Sequence, residues 1–416
     1  MSMRVLLIGG GGREHALGWK LVQSPRVTEI MSLPGNPGLA QLGSVIEGIE
    51  PTDVGAVAAF AKAQQVDLVV VGPEAPLAAG IVDALTSFGV PAFGPTRSAA
   101  RLESSKTFAK QVMDRASVPT APWGSFDQPD EAKTFLRAQT APYVIKADGL
   151  AAGKGVLVTE DLAAGEAWID DCLSGRFGDE RVLIEAFLAG PELSIFAVCD
   201  GTDAVLLDPA RDYKRLRNDD RGPNTGGMGA FSPVDDLPPG IMDFTLDRVV
   251  RPVLSAMAED GNPYIGFLYV GYVLTSEGPS VLEFNCRLGD PETQVVLPRL
   301  ETDLLDLIEA ALAGNVRKSR VDWSPETAVN VVLAAEGYPK APVKGTRLSR
   351  LERVEDVIIF HGGTSYDDAG HVVTSGGRVL SVVAIDRTAD DARARCYRAV
   401  DTLRWPGMQY RSDIAR

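Results

Sequence analysis

Over roughly the first hundred residues, short apolar runs alternate with helical stretches, and this rhythm limits the fold more than anything else in the chain. Arg4 to Ile8 reads as a strand, Glu14 to Gln23 as a helix, and Val27 to Met31 as a second strand ending at Pro34-Gly35-Asn36-Pro37-Gly38. Asp53 can cap a helix running to Gln65; Asp67 to Val71 is a strand ending at Gly72-Pro73-Glu74, and a further helix leads to Pro91. Such a βαβ order predicts a doubly wound parallel sheet with helices on both faces. Ligands of such sheets sit beyond the carboxyl ends of the strands. Gly9 to Gly12 and Gly72-Pro73-Glu74 both fall there. The dinucleotide fingerprint G-x-G-x-x-G fails, because the third glycine would be Glu14 or His15. A single phosphate suits the N–H groups of the turn better. A tight turn with no ligand is the plainer alternative.

The 416 residues imply several domains. A net charge of −15 argues against general nucleic-acid binding. No apolar run approaches the roughly 18 to 20 residues of a membrane span, and the N-terminus reads as a buried strand rather than a signal peptide. The cysteines, Cys172, Cys199, Cys286 and Cys396, lie far apart without CxxC spacing. Neither a zinc site nor a disulfide scaffold is indicated, so a reducing cytoplasm is expected. Of the histidines only His15 stands beside a candidate site; His361 and His371 read as structural. There is no G-x-S-x-G, so a Ser–His–Asp hydrolase has no support.

The stretch from Val281 to Glu292 carries the chemistry. It begins as an apolar strand and ends in Gly289-Asp290-Pro291. Side chains two apart on a strand share a face, which groups Glu283, Asn285 and Arg287 against Leu282, Phe284 and Cys286. A carboxylate beside an amide oxygen suits a hard cation such as magnesium. A guanidinium one step on can fork onto a carboxylate or phosphate. A mixed polar surface strand is the alternative. Upstream, Ser104-Ser105-Lys106 opens a helix to Arg115, and strand Tyr143 to Asp148, with Lys146, leads into Gly149-Leu150-Ala151-Ala152-Gly153-Lys154-Gly155. That loop lacks P-loop spacing and is followed by a strand, so a lid hairpin over phosphates or an ordinary glycine hairpin is expected. Glu185-Ala186-Phe187-Leu188 forms a connector able to read an adenine edge, or else a buried strand end. Arg211 to Gly229 reads as a long glycine-rich, cation-bearing loop of the kind that binds substrates. After about Gly314 a smaller strand-rich unit is expected, closing with a helix from Thr388 to Arg404.

Together GGREHAL, PGNPG, VGPEAPL, IKADGLAAGKGV, GPNTGGMGAFSP, GFLYVG and LEFNCRLGDPETQ resemble the ATP-grasp ligases, and among them closely the phosphoribosylamine–glycine ligase family. The resemblance extends over nearly the whole chain, with VVTSGGRVL in the C-terminal unit. It implies an N-terminal doubly wound α/β domain (1–103), an ATP-grasp domain (104–315) with a mobile small subdomain at about 118–190, and a C-terminal strand-rich α+β domain (316–416). It also implies a reaction of ATP, glycine and 5-phosphoribosylamine in purine biosynthesis.

The same resemblance implies residue roles. Lys106, Lys146, Gly153, Lys154 and Gly155 would hold ATP phosphates; Glu185, Phe187 and Leu188 the adenine; and Glu192 the ribose. Glu283 and Asn285 would bind magnesium or manganese. Arg287 would meet the glycine carboxylate and Asp212 its ammonium, with Lys214 able to assist. Gly11, Gly12, Pro73, Glu74, Asn224, Thr225, Gly226, Gly227, Met228, Gly289 and Asp290 would surround the phosphoribosylamine. Small-molecule substrates, no nucleic-acid or membrane partner, and a monomer are expected.

Three departures from the family pattern stand out. Gly10 replaces a common Asn or Ser, and Tyr213 a usual histidine. Gly266 to Thr275 offers no further metal carboxylate. The rival readings are a different ATP-grasp carboxylate–amine ligase, a non-catalytic nucleotide-binding regulator, and a dehydrogenase.

Overall fold

The computed structural model describes residues 2–150, 155–178 and 181–416. At the N-terminus a five-stranded, all-parallel sheet has the order Ser44–Val45, Val27–Pro34, Met3–Gly9, Leu68–Val71, Ala92–Phe93. The central strand shows why the chain folds this way. Leu6 and Ile8 enter one hydrophobic core, with helices Val54–Ala63 and Ile81–Ser87. Val5 and Leu7 enter another, with helices Gly12–Leu21 and Leu304–Leu312. A strand buried on both faces reads as an unbroken apolar run. The expected doubly wound parallel domain is what the chain forms.

A four-stranded antiparallel sheet, ordered Trp123–Phe126, Val182–Ala186, Tyr143–Ala147, Val156–Thr159, carries helices Pro129–Arg137 and Leu162–Leu173 on its own small core. The largest sheet has eight strands: Gly278–Asn285, Ile265–Thr275, Glu192–Asp200, Ala204–Asp212, Gly229–Ser232, Thr327–Ala334, Arg378–Asp386 and Ile358–His361. The last three of these come from the C-terminal part of the chain and join the sheet through pairing of Gly229–Ser232 with Thr327–Ala334. The expected strand after His371 leaves this sheet and pairs instead with Thr364–Tyr366.

Helix Gly12–Leu21 packs across the chain onto the strand Ile358–His361, with Trp19 and His15 edge-on to Phe360 at 5.9 and 5.4 Å. His15 Nδ1 accepts the backbone N–H of His361 at 2.8 Å. Burial, with the neighbouring His361, pushes the His15 imidazole down to about 3; burial takes His361 down to about 4. Both are neutral struts of this seam. The cysteines are free and buried. Among the described residues, no helix is long and apolar enough to cross a membrane.

Candidate active site

A cleft of about 640 Å³ lies between the four-stranded sheet and the open edge of the eight-stranded one. On its floor the strands Ile265–Thr275 and Gly278–Asn285 pair Gly271 with Glu283 and Tyr269 with Asn285. The next pair is Tyr272 with Val281, so Leu282 is one residue extra on its strand. This bulge breaks the simple alternation. Phe284 and Cys286 turn into the core as expected, but Leu282 lines the cleft beside Glu283. The facing strand offers Tyr269 and Gly271 and no carboxylate.

The expected nucleotide residues Lys106, Lys146, Gly155, Glu185, Phe187, Leu188 and Glu192 all line this cleft. Gly153 and Lys154 lie outside the described residues. Ser105 caps the helix Lys106–Arg115, its Oγ accepting from Phe108 N at 3.2 Å. Lys106 Nζ donates to Gly149 O at 2.7 Å. Burial lowers the Lys106 pKa, and nearby Glu283 partly opposes the shift. The Glu185 carboxylate is committed within the protein. It is paired with Lys110 at 2.7 Å and with Lys146. Burial alone would raise its pKa, but Lys146 and Lys110 outweigh that and hold it low. The Glu185 backbone lies inside the sheet, between Trp123 and Val144, so what remains toward a nucleotide is the Phe187-Leu188 connector. At the rim, Phe187 is 46% and Val158 is 47% exposed, an apolar surface waiting for a cover.

Glu283 faces Lys214, Lys146, Lys106 and Arg287; against burial, these cations keep its carboxylate low. Asn285 Oδ1 accepts from Arg287 Nη2 at 3.3 Å. Among the described residues no three His, Cys, Asp or Glu side chains gather as a metal cage. Two oxygen donors fit magnesium, which keeps several waters and takes other ligands from substrate phosphates.

Arg287 is held from several sides: Nη2 on Glu103 at 2.8 Å, Nε on Glu74 at 3.3 Å and Nη1 on Leu288 O at 3.3 Å. Burial works against its charge, but Glu103 and Glu74 raise its pKa above the usual arginine value. Five N–H donors leave one on Nη1 for a ligand. Opposite, removal from water lifts the Asp212 carboxyl to about 7 although Lys214 opposes it, and Glu292 and Glu192 push further up. Lys214 pairs with Glu192. Burial would lower the Lys214 pKa, but Asp212, Tyr269 and Glu192 raise it well above normal. These neighbours keep the Lys214 ammonium charged.

The glycine turn opens on a smaller cavity of about 370 Å³, lined by Gly11, Gly12, Gly362, Gly363, Gln294, Ser381 and Arg378. The two cavities share Gly226, Asp290, Tyr338 and Arg378. Gly11 N–H is already taken by Glu14 Oε2 at 2.7 Å, so the open donors of this turn start at Gly12. Glu74, Asn224, Thr225, Gly289 and Asp290 line the larger cleft. Pro73, Gly227 and Met228 line neither. Pro73 instead caps the helix Glu74–Ala79 and so aims Glu74. Gly227, at φ +110°, passes Pro291 where a Cβ would stand 2.3 Å from its ring. Met228 is a core side chain with no exposure, locked between Tyr213 O and Val332 N; its alternation with Gly227 sends it inward. The stretch read as one long loop also contains a hairpin, Arg215–Arg217 with Arg221–Asn224.

Sequence reading missed Glu103, Lys110, Gln294 and Arg378. Arg378 bonds the Gly226 and Asp290 carbonyls and pairs with the Asp290 carboxylate at 3.2 Å. Gln294 is fully buried, its Nε2 on Asp290 at 2.8 Å and its Oε1 without a donor among the described residues. The only available signal was their place in or beside the quoted segments; their inward direction needed the fold.

Three models of one family match the chain: phosphoribosylglycinamide synthetase N domain over 3–103, ATP-grasp (A) domain over 104–293, and C domain over 328–416. The phosphoribosylamine–glycine ligase of Agrobacterium fabrum is 46% identical over 415 residues, covering 99% of this chain and 98% of that one. That of Ralstonia nicotianae is 47% identical over 417 residues, covering 99% and 98%. The crystal structure of phosphoribosylamine–glycine ligase from Thermotoga maritima superposes with a TM-score of 0.87 at 35% identity, covering 99% of both chains. The chain belongs to the phosphoribosylglycinamide synthetase family of ATP-grasp enzymes.

Proposed function

We propose that this chain, an ATP-dependent ligase by family, joins glycine to 5-phosphoribosylamine, giving glycinamide ribonucleotide, ADP and phosphate in purine biosynthesis. The observation that carries the reading is the convergence of Glu283 and Asn285 with Lys106, Lys146, Lys214 and Arg287 in one cleft.

A free carboxylate acylates poorly, because its leaving group would be oxide. Transfer of the γ-phosphoryl of ATP to a glycine carboxylate oxygen breaks the phosphoanhydride bond and releases ADP. The acyl phosphate so formed has phosphate as its leaving group. The substrate amine attacks the acyl carbon, the C–O bond to phosphate breaks, and the amine proton passes to solvent or phosphate. Glu283 and Asn285 would hold magnesium or manganese, which would supply charge neutralisation for the transferring group. Lys106 and Lys146 lie along the phosphates. Adenine covers the apolar rim of Phe187 and Val158, and the connector backbone at Phe187-Leu188 reads its edge.

The remaining donor of Arg287 meets the glycine carboxylate, and Asp212 its ammonium. Arg378 and the Gly12 N–H suit the ribosyl phosphate, since the Gly362 and Gly363 N–H groups are taken by Val379 O and Arg378 O, and the orphaned Gln294 Oε1 suits a sugar hydroxyl. The unit 118–190 is read as a lid over an intermediate that water would destroy, within domains 1–103, 104–315 and 316–416. The same reading takes the chain as a monomer acting on small molecules in the cytoplasm.

The test is ADP release with phosphoribosylamine present and glycine, alanine or aspartate as the acid. Glycine alone should support turnover; turnover with alanine or aspartate and none with glycine would overturn the assignment.

A further inference from the structure

The Pro34 to Gly38 turn has no part in the chemistry above, yet it joins the two walls of the smaller cavity. Asn36, 6% exposed, uses its whole amide there. Nδ2 donates to Gly10 O at 2.9 Å and to His361 O at 2.8 Å. Oδ1 accepts from the N–H groups of Gly38 at 2.8 Å and Leu39 at 2.9 Å. Each bonded carbonyl belongs to the residue just before a glycine pair lining the cavity, Gly11-Gly12 on one side and Gly362-Gly363 on the other. The turn can come this close because Gly10 has no side chain; a Cβ there would meet Gly35 O at 2.3 Å. His15 adds a tie by accepting the N–H of His361. One wall comes from each end of the chain, and among the described residues Asn36 is the single side chain donating to both.

We propose that Asn36 is a positioning residue for the phosphate of the amine substrate, setting the spacing between the two glycine walls. The inference rests on the reading that the smaller cavity takes that phosphate. Two donated bonds lie behind it, and both go to carbonyl oxygens that accept from no other described side chain at this seam. Losing them frees the walls to drift apart without touching the nucleotide cleft.

Asn36→Ser and Asn36→Asp both keep an oxygen to organise the turn's N–H groups while losing the bridge. The probe is glycinamide ribonucleotide, the stable product bearing the same phosphate, titrated by calorimetry. Both variants should bind it about tenfold or more weakly, with ATP affinity and the KM for glycine within about twofold of the parent. An equal loss of ATP affinity would overturn the proposal, since that marks general loosening. Arg378→Met separates the clamp from the reading beneath it. If it weakens ribonucleotide binding while both Asn36 variants bind normally, the clamp is wrong and the cavity assignment stands. If all three bind normally, both fall. Should the Asn36 variants not fold, His15→Gln must give a smaller loss of ribonucleotide affinity; no loss overturns the clamp.

Discussion

Asp212 is the residue whose charge is most finely balanced. Removal from water, opposed by Lys214 and helped by Glu292 and Glu192, holds its carboxyl at about 7. If it receives the glycine ammonium, only the ionised form pairs. Its charge is present above about pH 7 and disappears as pH falls through that value. The kcat/KM for glycine should therefore decline on the acid side of about pH 7, and Asp212→Asn should flatten that limb while raising the KM for glycine about 10- to 100-fold. A profile unchanged by the substitution would remove Asp212 from the glycine site. Asp212 was legible in the sequence through the motif around it. Its opponents Glu292 and Glu192 were not visible as such, because only the fold brings residues eighty and twenty positions away into one charge cluster with it.

At the scale of elements, the buried triad of Lys110, Glu185 and Lys146 ties the helix Lys106–Arg115 to two strands of the four-stranded sheet. Removing one member of a buried ion pair leaves uncompensated charge, which costs about 3–5 kcal/mol. Glu185→Met should lower urea-unfolding stability by an amount of that order; a change under about 1 kcal/mol would mean that the lysines find other partners or water. The sequence showed the strands and the cap at Ser105, because capping and apolar runs are local signals. It assigned Glu185 to adenine through the Glu185–Leu188 connector and the family resemblance, and gave no sign that Lys110 would reach this carboxylate. A buried lysine looks like any surface lysine until its surroundings are known.

For the whole molecule, the central strands of the N-terminal parallel sheet were plain from the chain, as apolar runs punctuated by glycine turns, whereas the two-residue edge strand Ser44–Val45 was too short to be read. The continuity of the ATP-grasp sheet with the C-terminal strands was not plain. Thr327–Ala334 is buried along nearly its whole length, so its pattern names no face and no partner. Its pairing with both Gly229–Ser232 and Arg378–Asp386 brings Arg378 and the Gly362-Gly363 turn to the mouth of the N-terminal glycine turn. The site is thus assembled from both ends of the chain around the Glu283 row, and its central consequence is a phosphorylated glycine. The most direct measurement supplies glycine labelled with oxygen-18 in its carboxylate, together with ATP and phosphoribosylamine, and examines the inorganic phosphate by mass spectrometry. Label should pass from the carboxylate into the phosphate in step with turnover; phosphate free of label would contradict an acyl phosphate and with it the role given to this cleft.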